Sequence, residues 1–271
     1  MNPIPPETLL QQAKTLVIET GQLLKDYQKE LTREKIRYKG KNDLVSNADL
    51  DAEKKLVEGL KDILPEAKFI AEEGSPEQQL EAGTPFWILD PLDGTTNFIH
   101  NFPEYSISIA LIRDGAIEMG IVYHVVSDEM FSASSQEEGA FLNEEPIKVS
   151  GVDNLEESLL GTGFPSREFS MIDPYTDLMK KLMVETHGLR RMGSAALDLA
   201  YVAAGRFDGF FEYGLSPWDV AAGGYLVQKA GGHVTDFTGG NNHLFGKEVI
   251  ASNVPIYDSL SSTVRSFLKK E

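Results

Sequence analysis

Residues 87–98 read WILDPLDGTTNF, and this segment decides how the chain around it is interpreted. Its first three residues and the preceding Phe86 are apolar and favour a buried strand, which would place Asp90 at the strand's carboxyl end. Pro91 has no backbone N–H, so we expect the strand to end there. Gly94 then permits a sharp turn, and Thr95 is suited to begin a helix.

The two carboxylates of this segment, Asp90 and Asp93, stand on either side of the forced turn. They can converge on one or two metal ions, and ligands made only of hard oxygen favour Mg²⁺ or Mn²⁺. The N–H groups of Gly94 and Thr95 can meet phosphate oxygens at the helix start. On this segment alone, an ordinary turn in which both aspartates only accept hydrogen bonds from nearby backbone groups remains open.

Other acidic residues occupy comparable places along the chain. Glu72 and Glu73 follow a short predicted strand, although such a pair is commonly a solvated turn. Asp219 stands at the start of a helix rich in small residues, where it would also suit the helix dipole. Asp49 precedes a predicted helix and, by itself, is interpreted as its N-cap.

Hydrophobic periodicity predicts helices and strands along the whole chain. In the first half we expect helices at 6–31 and 49–64, a turn at 39–43, a polar loop at 77–84, a hairpin at 139–143, and strands at 69–71, 86–89, 106–112, 117–124 and 129–134. In the second half we expect strands at 158–162, 188–192, 207–212 and 248–252, alternating with helices at 175–185, 195–204 and 218–230. The pattern predicts an N-terminal half (1–150) with helices on a mostly antiparallel sheet, and a C-terminal α/β half (151–271) sharing an interface with it.

Composition limits the possible functions. The 271 residues are 41% hydrophobic and 25% charged, which is typical of a globular protein with a sizeable core. There is no cysteine, which excludes thiol nucleophiles and cysteine-ligated metals and fits a reducing cytoplasm. No leader-like or membrane-spanning apolar run is visible, so we expect a soluble protein. The formal net charge of −17 argues against a nucleic-acid surface, and it implies that a phosphate dianion would need bound cations.

Taken together, the motifs resemble those of the inositol monophosphatase family, within the Mg²⁺-dependent, Li⁺-sensitive sugar phosphatases. The matching stretches are DLVSNAD (43–49), AEEG (71–74), the segment at 87–98, RMGSAALDLA (191–200), GRFDGFFE (205–212) and PWDVAAG (217–223). They stand in the family's order over nearly the whole chain. The resemblance implies the family's layered α-β-α-β-α sandwich.

The resemblance also implies a role for each matched residue. The first metal would be held by Glu72, Asp90 and the Leu92 carbonyl, and the second by Asp90, Asp93 and Asp219. Thr95 with Asp49 would orient the nucleophilic water, Glu72 would take part in catalysis, and Glu73 would support the Glu72 region. The residues implied in substrate binding are Gly94, Thr95, Gly193, Ser194, Ala195, Glu212 and Asp219. From residue type alone, Glu212 is equally an exposed strand-end residue, and the small residues at 194–196 equally serve close helix packing.

The function implied is hydrolysis of inositol monophosphate with two or three Mg²⁺ ions, with Mn²⁺ as a possible substitute, by a cytoplasmic homodimer without nucleic-acid or membrane partners. Fructose 1,6-bisphosphate, NADP, histidinol phosphate or a nucleotide 3′-phosphate are alternative substrates for the same site. Nucleotide-type and histidinol-type relatives tend to carry Lys after D-G-T, where this chain has Thr96, which favours the inositol type. A regulatory binding protein that retains the fold is the alternative from another class.

Overall fold

The computed structural model of the protein describes residues 6–30, 36–40, 43–74, 80–165 and 169–268. Its helices are α1 (Pro6–Lys29), α2 (Asn47–Ile63), α3 (Thr95–Ile99), α4 (Ile172–Glu185), α5 (Ala195–Ala203), α6 (Pro217–Lys229) and α7 (Tyr257–Leu268). Its strands are β1 (Ile36–Gly40), β2 (Asp43–Ser46), β3 (Lys68–Ala71), β4 (Phe86–Asp93), β5 (Ser106–Arg113), β6 (Ala116–His124), β7 (Glu129–Ser134), β8 (Ala140–Leu142), β9 (Glu145–Ile147), β10 (Leu159–Thr162), β11 (Gly188–Arg190), β12 (Gly209–Tyr213), β13 (His233–Thr235) and β14 (Glu248–Ser252). Within the described ranges, no helix combines the length and the apolar character needed to cross a bilayer.

The larger sheet has seven strands in the order β3-β4-β5-β6-β7-β8-β9. Only the β3–β4 pair is parallel, and the other neighbours are antiparallel. Strand β4 is buried on both faces, which explains its continuous apolar run. Trp87 and Leu89 pack in one core with α1 and α2, whereas Phe86 and Ile88 pack in another with α5 and α6.

The smaller sheet has five strands in the order β11-β10-β12-β14-β13. Strands β11, β10 and β12 run parallel, and β14 lies antiparallel to both of its neighbours. Helices α5 and α6 fill the space between the two sheets, and a third core lies under α4 and α7 on the outer face. The layers are therefore helix, sheet, helix, sheet, helix, and the predicted sandwich is confirmed.

The division of the chain near residue 150 stays a prediction. The core between the sheets contains residues from both sides of that position, including Ile88 and Val122 from the larger sheet and Phe210 and Ala251 from the smaller one. The two halves therefore share buried apolar surface.

The end of β4 differs from the prediction. The strand continues through Pro91 to Asp93, because the ladder shifts register after Asp90, which pairs with Ser108, and resumes at Asp93, which pairs with Ser106. A β-bulge is one of the places where a sheet accepts proline. The prediction that Pro91 ends the strand was therefore wrong.

Other boundaries shift by a few residues. Helix α4 starts three positions before the predicted Tyr175, whereas β14 has the predicted bounds. The hairpin of β1 and β2, strand β13 and helix α7 were not predicted. Two parts of these predictions lie outside the described residues: 41–42 of the turn at 39–43, and 77–79 of the loop at 77–84.

Candidate metal centre and substrate cleft

Three aspartates that are remote in sequence meet at one wall of a cleft between the layers. One carboxylate oxygen from each of Asp90, Asp93 and Asp219 lies within 4.8 Å of the others. Asp90 and Asp93 come from the bulged end of β4, and Asp219 comes from the first turn of α6. The cleft has a volume of about 290 Å³. Because these are hard oxygen ligands at short separation, the trio is able to hold a divalent cation.

Each of the three carboxylates is oriented by the protein through one of its oxygens. Asp90 Oδ1 accepts a hydrogen bond from the Leu92 N–H at 2.8 Å, and Asp219 Oδ2 accepts one from the Ser216 N–H at 2.7 Å. Asp93 Oδ2 accepts from Ser194 Oγ at 2.7 Å and from the Ala196 N–H at 2.8 Å. The capping and turn roles considered for these residues are therefore real. They engage one oxygen of each carboxylate, so the second oxygen is available for a ligand.

The cluster is electrostatically strained without cations. Burial, followed by the charges of Glu72, Asp93 and Asp219, raises the pKa of Asp90 well above its ordinary value. Burial also raises the pKa of Asp93 to about 6, against the opposing hydrogen bonds from Ser194 and Ala196. Burial and then the charge of Asp93 raise the pKa of Asp219. Several carboxylates that resist ionising together are the environment that a divalent cation stabilises.

Thr95 lies beside this trio, at the start of α3. Its hydroxyl is 3.0 Å from Asp49 Oδ1 and 3.1 Å from the Leu92 carbonyl oxygen. Asp49 is buried (1% exposed) in the first turn of α2, two residues after the helix begins, so its interpretation as the N-cap was wrong. A hydroxyl that donates its proton to a buried carboxylate keeps its lone pairs for a water in the cleft.

Glu72 reaches the same cleft from the end of β3, the strand that pairs in parallel with β4. It lines the cleft, and its charge acts on both Asp90 and Asp219. It follows β3 in a turn that Glu53 of α2 stabilises, because Glu53 Oε2 accepts a hydrogen bond from the Glu73 N–H at 2.8 Å. Glu53 stands one helical turn after Asp49, so one face of α2 supports two parts of the site.

Residues 193–195 connect the two halves of the cleft. Gly193 has a φ of 95°, and it packs so closely on Asn97 and Gly94 that an added Cβ would collide with Asn97. The Asn97 amide donates to the carbonyls of Glu104 at 2.6 Å and Met192 at 2.8 Å. Ser194 is the N-cap of α5, and Ala195 begins that helix. Small residues here therefore serve close packing and also line the cleft.

Glu212 lies at the far end of the cleft, on β12, rather than at an exposed strand end. Its carboxylate covers Gly163 so closely that an added Cβ there would lie 1.8 Å from Oε1. Burial raises the pKa of Glu212 to about 8, although the nearby Arg191 opposes the shift. Arg191 itself lies over the Phe164 ring, 5.4 Å from the ring centroid.

Sequence reasoning missed several residues of the site. Glu53 could have been found from its spacing of four residues after Asp49 on one helix face. Asn97 stands inside the segment at 87–98, but nothing in the sequence shows which carbonyls its amide would reach. Asp198 and Arg191 lie within the RMGSAALDLA stretch and line the cleft. The sequence does not show that they come close to Glu212, because that depends on the fold.

Comparison with known proteins places this geometry in a family. Residues 6–268 match the sequence profile described as the inositol monophosphatase family. The chain belongs to the inositol monophosphatase family.

Relatives within the family are similar over most of their length. The chain is 43% identical over 236 residues to the Nus factor SuhB of Pseudomonas aeruginosa, covering 86% of this chain and 87% of that protein. The structure of the extragenic suppressor protein SuhB from Bartonella henselae matches with a TM-score of 0.88 at 39% identity, over 95% of this chain and 98% of the other. The structure of the Thermotoga maritima IMPase matches with a TM-score of 0.86 at 35% identity, over 96% of this chain and 98% of the other.

The inositol monophosphatase family is Mg²⁺-dependent in general, and the residues present here fit that ion. The donors are carboxylate and carbonyl oxygens, which suit Mg²⁺, and the chain has no cysteine to select a softer metal. The implied first site has two carboxylates and the Leu92 carbonyl, and Leu92 also lines the cleft. The implied second site corresponds to the trio of Asp90, Asp93 and Asp219.

Proposed function

We propose that this protein hydrolyses a small phosphate monoester, with inositol monophosphate as the favoured substrate and Mg²⁺ as the cofactor. The observation that carries the proposal is the meeting of Asp90, Asp93 and Asp219 within 4.8 Å at the wall of one cleft. Buried carboxylates that converge on an open cleft are costly unless a cation joins them. Membership in the inositol monophosphatase family adds the reaction class.

The proposed metal ligands are Glu72, Asp90 and the Leu92 carbonyl for one ion, and Asp90, Asp93 and Asp219 for another. Bound Mg²⁺ would stabilise charge on the phosphoryl oxygens and make water more acidic. The hydrogen bonds from Ser194, Ala196, Leu92 and Ser216 hold the aspartates in place before any ion binds. This preorganisation reduces the rearrangement that binding requires.

The chain's own contribution to the hydrolysis begins with Thr95. Its hydroxyl donates to Asp49 and can accept a hydrogen bond from a water in the cleft, which orients that water toward the phosphate. Asp49 is the proposed final proton acceptor, because it is buried against Thr95 and lies outside the carboxylate trio. The backbone at Gly94 and Thr95 is the proposed seat of the phosphate, since both residues line the cleft beside the trio.

The far end of the cleft is proposed to bind the rest of the substrate. Glu212 and the small residues at 193–195 border that end, and they leave room for a hydroxylated ring. The half-buried Glu212 carboxyl is suited to hydrogen bonds with hydroxyl groups. Fructose 1,6-bisphosphate, NADP and nucleotide 3′-phosphates remain alternatives, and a screen of phosphate release over these esters, with and without Mg²⁺, would rank them. Absence of Mg²⁺-dependent release from every ester would contradict the proposal.

We also propose that the protein is a cytoplasmic homodimer whose turnover is suppressed by Li⁺, as its family resemblance implies. Light scattering on the eluting protein would measure the mass of the assembly against the 29.9 kDa chain. A monomer at micromolar concentration would contradict the dimer, and turnover insensitive to Li⁺ would contradict the inhibition.

A second function is favoured by the names of the relatives, since the Pseudomonas aeruginosa protein at 43% identity is a Nus factor. We propose that this chain can also serve in such a role, through protein contacts rather than a nucleic-acid surface, because its net charge is −17. The test is whether the wild type and Asp93→Asn both replace SuhB in a Pseudomonas aeruginosa strain lacking it. Replacement by both would assign the role to the folded surface, whereas failure of both would contradict it.

A further inference from the structure

Helix α5 is buried along its whole length and contains a single charged residue, Asp198. The Asp198 side chain is 1% exposed, and its backbone N–H donates to the Ser194 carbonyl at 3.0 Å. Asp198 therefore lies one helical turn beyond Ser194, on the same side of the helix. Because Ser194 contacts the carboxylate trio through Asp93, this side of α5 faces the cleft.

One oxygen of the Asp198 carboxyl has no partner among the residues that the structure describes. Asp198 lines the cleft, and its Oδ1 atom is buried without a hydrogen bond. Within the described residues the same is true of three other side-chain atoms, in Trp87, Ser132 and His243, and none of these residues lines the cleft. Buried polar atoms are normally paired, so a carboxyl oxygen left unpaired in a binding cleft indicates a missing ligand.

The surroundings of Asp198 restrict what that ligand is. Burial raises the pKa of Asp198 well above its ordinary value, and the charges of Glu212 and Asp93 add to the shift while Arg191 opposes it. Two nearby carboxylates against one guanidinium disfavour a further anionic group there. A cation shared among three acidic side chains is disfavoured as well. In the described part of the chain, Asp198 is in no group of three acidic residues with ligand atoms within 4.8 Å of one another. A neutral hydroxyl fits either protonation state, since it can donate to an ionised carboxylate and can donate to or accept from a protonated carboxyl.

We propose that Asp198 is a specificity-determining residue that hydrogen-bonds a hydroxyl group of the substrate at the floor of the cleft, beside Glu212. The proposal rests on the phosphatase function proposed above and extends it to a second carboxyl for the polyol part of the ester. Glu212 and Asp198 approach from different elements, β12 and α5. Two carboxyls on two elements can discriminate esters by the number and placement of their hydroxyls.

The test compares esters that differ in hydroxyl groups. Inositol 1-phosphate, phenyl phosphate and 2-aminoethyl phosphate would be assayed with Mg²⁺ on the wild type, Asp198→Leu, Asp198→Asn and the exposed control Asp62→Asn. Leucine fills the space without a polar atom, whereas asparagine keeps an acceptor oxygen. We expect the ratio of kcat/KM for inositol 1-phosphate to that for phenyl phosphate to fall about tenfold to a hundredfold in Asp198→Leu, mainly through KM. This ratio should fall less in Asp198→Asn than in Asp198→Leu, and it should equal the wild-type ratio in Asp62→Asn.

Each other outcome has a distinct meaning. An equal loss on both esters in Asp198→Leu would overturn the proposal in favour of a structural role, because α5 also holds Asp93 through Ala196. If Asp198→Leu leaves the ratio of kcat/KM for inositol 1-phosphate to that for phenyl phosphate unchanged, the partner of Asp198 is a buried water and the proposal is overturned. If Asp198→Leu lowers kcat/KM only for 2-aminoethyl phosphate, the ligand of Asp198 is an ammonium group, and the proposed contact with a hydroxyl is wrong. A wild type inactive on every ester would refute the phosphatase function itself and the Asp198 proposal with it. Melting temperatures with and without Mg²⁺ would verify that each variant folds.

Discussion

Asp93 and Ala196 stand 103 positions apart in the chain, and the Ala196 N–H donates a 2.8 Å hydrogen bond to Asp93 Oδ2. Asp93 ends the bulged β4 of the larger sheet, and Ala196 lies in the first turn of the helix between the sheets. The same oxygen also accepts from Ser194 Oγ. This contact therefore ties the orientation of a proposed metal ligand to the packing of the middle helix layer.

We expect Asp93→Asn to abolish most activity while leaving the fold intact. The amide oxygen can still accept from Ser194 and Ala196, but the charge that would bind Mg²⁺ is lost. Turnover should fall by more than about a hundredfold, since even residues that only orient metal ligands are worth about 10–100-fold. Phosphate release would measure it, and Asp62→Asn provides a matched control on the exposed surface. Undiminished turnover in a folded Asp93→Asn protein would contradict the metal assignment.

The stability of the metal-free protein should depend on pH through Glu212. The pKa of this carboxyl rises from 4.5 to about 8 on folding, so the folded state holds the proton more tightly than the unfolded chain. Stability from this group is thus complete below about pH 4.5 and declines as the pH rises toward 8. Glu212→Gln removes the decline, so its melting temperature should exceed that of the wild type increasingly from pH 5 to pH 8.5.

The expected size of this effect is a few degrees, because about 1 kcal/mol shifts the melting temperature of a chain of this size by roughly 2–4 °C and Glu212 is partly exposed. Scanning fluorimetry without divalent ions would measure it. Glu58→Gln on the exposed side of α2 serves as the control and should track the wild type at each pH. If the difference in melting temperature between Glu212→Gln and the wild type stays constant from pH 5 to pH 8.5, the folded protein does not hold the Glu212 proton more tightly than the unfolded chain.

Removal of the Thr95 hydroxyl should affect the rate more than the binding of substrate. In Thr95→Val the hydrogen bond to Asp49 is lost, and with it the group proposed to orient water. We expect kcat to fall about 10²–10⁴-fold with a smaller change in KM, as is usual for general acid–base groups. Thr95→Ser should retain much of the rate, and Thr176→Val on the exposed part of α4 should retain all of it. A large KM effect with unchanged kcat would assign Thr95 to binding alone.

Gly163→Ala should disturb the far end of the cleft and spare the metal centre. Its Cβ would collide with the Glu212 carboxylate, so that side chain must move. We expect a higher KM for inositol 1-phosphate with an unchanged Mg²⁺-induced rise in melting temperature. Gly151→Ala is the matched control, because its Cβ would meet nothing within 4 Å.

A double-mutant cycle sharpens this prediction. If Gly163→Ala acts through Glu212, adding it to Glu212→Ala should raise KM no further than Glu212→Ala alone. Additive effects of the two substitutions would instead indicate that Gly163 affects the substrate by a separate route.

Much of the architecture could be predicted because it depends on local patterns. The apolar run before Asp90, the small residues after Asp219 and the alternation of strands and helices are properties of neighbouring residues. They predicted helices on a mostly antiparallel sheet in the first half and an α/β second half, and the carboxylates indicated an oxygen-ligand metal site. The layered sandwich itself was implied by the resemblance to the family. The β-bulge at Pro91 was missed, because whether proline ends a strand or sits in a bulge depends on the partner strand.

The chemistry of the ligands is visible in the residue order: carboxylates, small residues and the absence of cysteine follow from composition and spacing. The tertiary structure alone decided which oxygens are engaged and which are available, and it placed Asp49 in the core against Thr95 rather than at a helix cap. It also left the Asp198 Oδ1 atom, near Glu212, buried without a hydrogen bond to any of the described residues. The physical reason is that burial and hydrogen-bond pairing depend on which elements pack together, and those contacts join residues that lie far apart along the chain.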